Sequence, residues 1–168
     1  MTQQEKPITI RHAAIDDVDT IAEYNIAMAL ETEGISLDLD RVTQGVRSVL
    51  HDPSKGFYIL AGIESRVVGQ MMVTFEWSDW RNGVFWWIQS VYVHPDHRRL
   101  SIFTQLYRHV ERSAKETDDV CGLRLYVENE NAIAQSTYQC LGMTQALYKV
   151  YETDFVISRS PHGNGELI

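Results

Sequence analysis

The adjacent guanidinium groups of Arg98 and Arg99 stand where the chain changes its period. Residues 86–115 (WWIQSVYVHPDHRRLSIFTQLYRHVERSAK) open as an apolar strand, turn through a His/Pro/Asp/Arg loop and leave as an amphipathic helix. A strand that feeds a helix through a tight basic loop is suited to holding phosphates. The loop's backbone N–H groups and the positive end of the helix dipole both point at whatever sits there. The alternative for the two arginines is a solvated surface pair. His94 and His97 flank the loop, but nothing at metal-ligand spacing joins them, so no metal is assigned.

The elements around this stretch follow from the pattern of apolar residues. Residues 7–11 (PITIR) alternate as a first strand, and Asp16 and Asp17 offer an N-cap and first-turn carboxylates for a helix ending at 31–34. A second helix is predicted over 40–50, closed by Asp52-Pro53. Residues 57–63 and 67–77 read as a hairpin, and 84–93 as a strand apolar on both faces, hence inside a sheet. From Ser101 the period is helical, with Ile102, Leu106 and Val110 in one stripe. A strand over 122–127, a short helix over 131–141 with Gly142 at its end, and a final strand over 145–156 complete the order β-α-α-β-β-β-α-β-α-β. This is an α/β fold with a mixed central sheet and helices on both faces. One domain is expected over 1–158, with 159–168 a mobile tail.

Composition narrows the classes. An apolar fraction of 44% with 23% charged residues is ordinary globular protein. A net charge of −8 argues against nucleic-acid binding, which needs a basic face. It is compatible with a cationic substrate, although many proteins are acidic only for solubility. Cys121 and Cys140 are too few for a disulfide framework, which points to reduced thiols. No apolar run approaches a membrane span, so a soluble, cytoplasmic protein with no membrane partner is expected. No stretch demands an oligomer, and a homodimer is compatible with the sequence.

The element order, the segment VYVHPDHRRLSIFTQLY and the segment NENAIAQSTYQCLGM together resemble the GNAT superfamily of N-acetyltransferases over nearly the whole chain. In that family a strand ending V-x-V-x-P precedes a loop Gln/Arg-x-x-Gly-x-Gly/Ala that cradles the pyrophosphate of acetyl-CoA. Arg98 matches its first position, while Ser101 and Phe103 occupy the usual glycine slots. Serine and phenylalanine give up backbone freedom there, although the Ser101 hydroxyl can donate to a phosphate and the Phe103 ring can turn to the core beside Tyr107. A second family pattern, Asn-x-x-Ala-x-x-x-Tyr-x-x-x-Gly-Phe, reads here as Asn131, Ala134, Tyr138 and Gly142, with Met143 in the Phe slot.

The resemblance implies acetyl-CoA as co-substrate and a primary amine as acceptor, of a small molecule or else of a peptide or protein, with the acetyl group transferred directly in a ternary complex. Coenzyme contacts then fall to Val91, Tyr92 and Val93 on the strand and to Arg98, Arg99, Leu100, Ser101, Ile102, Phe103 and Thr104 in the loop and first helical turn. A backbone N–H on the 89–93 strand would polarise the carbonyl, where charge develops in the transition state. Val91 and Val93 would pair with the pantetheine arm as with another strand. Asn131 either contacts the coenzyme or caps a helix. Tyr138 either protonates the departing thiolate or packs in the core with its hydroxyl satisfied.

For the amine's proton a carboxylate or a water chain is expected. Glu31 and Glu33 sit where the family places acceptor-binding residues; Glu76, Asp79 and Glu128 are further candidates, each otherwise a solvated carboxylate. Of Trp77, Trp80, Trp86 and Trp87 most are expected in the core, with one or two free to wall an acceptor pocket or face a cation. Two other readings stay open: a non-catalytic acyl-CoA-binding or regulatory module with a degenerate loop, and a structural α/β domain without coenzyme.

Overall fold

A computed structural model describes residues 7–157. By its internal contacts the chain divides into two compact units, one ending at Asn131 and one starting at Ala132. The first holds a five-stranded sheet in the order β1 (Ile8–His12), β2 (Phe57–Ile63), β3 (Arg66–Ser78), β4 (Gly83–Val93) and β5 (Val120–Leu125). The first four strands run antiparallel, and β5 pairs parallel with β4. A parallel neighbour needs a crossover, and α3 (Ile102–Lys115) supplies it. The α/β fold with a mixed sheet read from the sequence is the fold of the chain.

Helices α1 (Val18–Glu33) and α2 (Leu39–His51) cover one face. Their core joins Val18, Ile21, Ala22 and Val46 to Tyr58 and Leu60 of β2. Strand alternation therefore turns Ile59 and Ala61 to the other face, where α3 packs. Ile102, Leu106 and Val110, the stripe expected from the sequence, are almost wholly buried there. Gly69 permits the close seat of α3, since a Cβ at that position would lie 2.9 Å from Ile102 Cγ2.

Local starts and stops follow side-chain chemistry. Asp38 caps α2, accepting from Arg41 N–H at 2.8 Å, so the helix starts one residue ahead of the expected 40. Asp17 lies in a single 3-10 turn ahead of α1, where its carboxylate accepts from Ala14 N–H at 2.7 Å and takes both ends of the Arg11 guanidinium. That pairing holds the Asp17 carboxyl below the usual range.

The second unit contains α4 (Ala132–Cys140), closed as expected at Gly142, with φ +92°, while Met143 N–H donates to Tyr138 O at 3.0 Å. The strand expected over 145–156 does not form. Leu147 is 99% exposed and Tyr151 90%, and no ladder includes them. Alternating apolar residues select which face a strand would bury, but a strand exists only when a neighbour takes its N–H and C=O groups. The tail expected over 159–168 lies outside the described residues. Among the described residues no helix is long and apolar enough to cross a membrane.

Candidate active site

The site begins with an irregularity in β4. Gln70 faces Tyr92 and Met72 faces Gln89, so β4 carries one extra residue at Ser90–Val91 against one in β3. Ser90 adopts φ +47°, uncommon for a residue with a Cβ. A bulge bends its strand and ends regular pairing. Here pairing with β5 stops at Ile88–Leu125, two residues short of the strand expected to reach 127. His94 N–H donates to Val68 O at 2.9 Å, so Tyr92 shares that direction and the N–H groups of Val91 and Val93 turn away from β3. They project from β4 beyond the point where its partner has departed.

The chain then makes a 3-10 turn over Pro95–His97 and reaches α3 through two residues of positive φ, Arg99 at +67° and Ser101 at +57°. Ser101 precedes the helix, and its carbonyl accepts from Gln105 N–H at 3.0 Å. The first-turn N–H groups at 102–104 thus lie at the helix's positive end without carbonyl partners inside the helix. A left-handed backbone is one that glycine adopts freely and that Ser101 adopts at some strain. Phe103 is half-buried, with its ring 6.2 Å from that of Tyr107, as the sequence suggested.

The expected coenzyme residues divide on inspection. The Tyr92 ring is buried on the α1 side, 5.0 Å from the Tyr24 ring. Arg98 is engaged by protein: its guanidinium makes a bidentate pair with Glu31, at 2.6 and 2.7 Å, and its Nε donates to Val93 O at 3.0 Å. Two residues assigned separate roles, one toward coenzyme and one toward acceptor, therefore meet each other. Arg99 is exposed, and among the described residues no carboxylate pairs with it. Leu100 and Glu33 are exposed, and Asn131 immediately precedes α4. Burial raises the Tyr138 phenol above its usual pKa.

Glu76 is tied to Trp87 Nε1 and to Arg124, and Asp79 accepts from Trp80 N–H at 2.9 Å. The tryptophans separate likewise. Trp86 is buried, but Trp77, near the end of β3, and Trp80, on the β3–β4 turn, are exposed, Trp80 by 85%. None of the four lines the apolar cavity beside Ser90. The Arg124 guanidinium lies 3.7 Å from the centre of the Phe85 ring and 5.9 Å from that of Trp87, and Arg81 approaches Phe85 at 4.9 Å.

That cavity, about 350 Å³, lies between α1, α2 and the bulge. At its polar end Asn25 Nδ2 donates to Tyr58 Oη at 3.2 Å, and Gln70 Nε2 donates to Asn25 Oδ1 at 2.7 Å and to Ser90 O at 3.4 Å. Burial pushes the Tyr58 phenol up, and its bonds to Asn25 and Ser90 partly offset this. Sequence reasoning missed this network. Its one signal was Gln70, a lone amide inside the apolar run VVGQMMV.

Known proteins match this chain both in sequence family and in fold. The acetyltransferase (GNAT) family model matches residues 20–143. The chain belongs to that family. A possible acetyltransferase from Clostridium difficile 630 is 46% identical, with a TM-score of 0.82 over 89% of this chain and 98% of its own. At 16% identity the GNAT fold persists in a predicted acetyltransferase with acetyl-CoA from Clostridium acetobutylicum, with a TM-score of 0.71 over 88% and 96% of the two chains. A ribosomal-protein-alanine N-acetyltransferase from Brucella melitensis biovar Abortus 2308 is 17% identical, with a TM-score of 0.69 over 89% and 100%. No curated protein matches the chain.

Proposed function

We propose that this GNAT acetyltransferase moves the acetyl group of acetyl-CoA to a primary amine of a small molecule, directly, within a ternary complex. The observation that carries the reading is the bulge at Ser90–Val91, which turns N–H groups of β4 away from β3 where β5 has left the ladder. Val91 and Val93 offer a strand edge for the pantetheine amides, and a β4 N–H offers a donor for charge developing on the thioester oxygen. The N–H groups at 102–104 and the Arg99 guanidinium would hold the pyrophosphate, with Leu100 and Ser101 forming the turn between them. Asn131 is assigned to the coenzyme, and Tyr138 to protonation of the thiolate. Cys121 and Cys140 enter no covalent step. The proposed domain runs over 1–158, which the family match across 20–143 supports.

Ser101 retains the left-handed turn that a glycine would supply, so the loop's path survives the substitution. This favours a working loop over a degenerate one. Calorimetry with acetyl-CoA, followed by thiol release against a panel of amines, tests the reading. Binding with turnover is expected. Binding with no turnover on any amine would favour the non-catalytic module, and no binding would remove the coenzyme altogether.

A further inference from the structure

The cavity beside the bulge has walls of one kind and an end of another. Met28 of α1, Val42, Val46 and Val49 of α2, and Met72 of β3 make the walls. Asn25, Tyr58 and Ser90 make the polar end, on the strand position that carries the bulge. Every lining residue is neutral. Behind this end Gln70, fully buried, bonds both Asn25 and Ser90 and fixes their positions, while its Oε1 has no partner among the described residues. A volume near 350 Å³ is that of a small-ligand site.

Gly45 adds an independent observation. It lies in the middle of α2, where glycine is a poor choice, it lines the cavity, and a Cβ there would meet nothing within 4 Å. The space is kept by a residue the helix itself does not favour.

We propose that this cavity selects the acceptor: a primary amine on an uncharged apolar arm, an alkylamine or arylalkylamine, bound as the free base. The inference rests on the acetyltransferase reading and names the substrate class for it. An ammonium seated against these neutral, apolar walls would give up hydration with no carboxylate among the lining residues to compensate, so the free base is favoured and its extra proton stays in solvent. Glu31, Glu33, Glu76, Asp79 and Glu128 all lie off the lining, and none is required as base. In the transfer, the nitrogen lone pair forms the C–N bond to the acetyl carbon. The C–S bond breaks with its pair on sulfur. One of the two amine hydrogens remains on the amide, and the other leaves as the proton that ends on the thiol.

The test uses the full chain and its Gly45→Leu variant, which fills the cavity from α2. Thiol release from acetyl-CoA is measured with hexylamine and phenethylamine, and with putrescine and lysine, at matched free-base concentrations. The apolar amines should exceed the charged ones by at least about tenfold in kcat/KM, and the variant should lose about tenfold on them, since a single methylene in such a pocket can carry that much. Acetyl-CoA affinity and melting temperature should hold in the variant. Equal rates with putrescine or lysine, or a variant with unchanged kinetics on its best amine, would overturn the proposal. If no amine is acetylated, calorimetric binding of phenethylamine in the presence of CoA decides, and its absence overturns the proposal. Failure to bind acetyl-CoA instead removes the acetyltransferase reading, while binding of phenethylamine alone, and its loss in Gly45→Leu, still reports on the cavity.

Discussion

Glu31, in the last turn of α1, holds the Arg98 guanidinium in a bidentate pair while the same arginine donates to Val93 O. One side chain thus ties the end of α1, the end of β4 and the loop that leads to α3. The pairing lowers the Glu31 carboxyl and raises Arg98. Both side chains are over 40% exposed, so the pair is worth about 0.5–1 kcal/mol at most. Its value lies in shaping the loop. Glu31→Gln and Arg98→Ala should each weaken acetyl-CoA a fewfold, and the double variant no more than the worse single one. Calorimetry on the four proteins checks this; tighter binding in Glu31→Gln would make Arg98 a direct phosphate ligand.

Arg99, one residue on, is expected to carry the phosphate charge that Arg98 cannot. Arg99→Ala should weaken acetyl-CoA about tenfold, the size of one charge-assisted hydrogen bond. The loss should shrink as salt is raised, which titrations at two ionic strengths would show.

Ser101 stands at φ +57° with no capping bond from its side chain. Ser101→Gly removes that strain and adds unfolded-state freedom, for a net gain of about 0.5–1 kcal/mol. A rise of a few degrees in Tm is expected, with acetyl-CoA affinity kept or improved. A fall in Tm would mean the hydroxyl holds the turn.

Tyr138→Phe should lower kcat about a hundredfold and leave acetyl-CoA affinity intact, as for loss of a general acid. Burial raises this phenol's pKa, and the acid must be protonated to donate. The alkaline fall of wild-type kcat should therefore lie above pH 10, the phenol's ordinary value. A profile of kcat against pH reads both effects.

Asp17 gives a stability test away from the site. Its folded pKa is depressed by Arg11, so its contribution is present above the ordinary carboxylate value near 3.8 and is lost as pH falls through the lower folded value. Asp17→Asn should cost about 1 kcal/mol at pH 7 and nothing at the acid end, where the wild type has lost the same interaction. Urea midpoints at pH 7 and at a series of falling pH values compare the two, the difference closing only well below the ordinary carboxylate value.

Periodicity and turn chemistry were enough to place α3, β4 and the loop between them, because those elements are decided by residues close in the chain. The stripe Ile102, Leu106 and Val110 and the run 84–93 each carry their own burial pattern. The GNAT resemblance rested on the order of elements and on two segments, 91–107 and 129–143, that are likewise local motifs. Contacts between distant residues were decided only by the tertiary structure. Glu31 and Arg98 stand 67 residues apart, and Asn25 and Gln70 stand 45 apart; no local rule pairs them. The bulge at Ser90 was hidden for the same reason, being a mismatch between two strands that neither strand shows alone. The unformed strand at 145–156 is the converse case: its pattern was legible, but a strand's hydrogen bonds belong to a neighbour that the pattern does not specify.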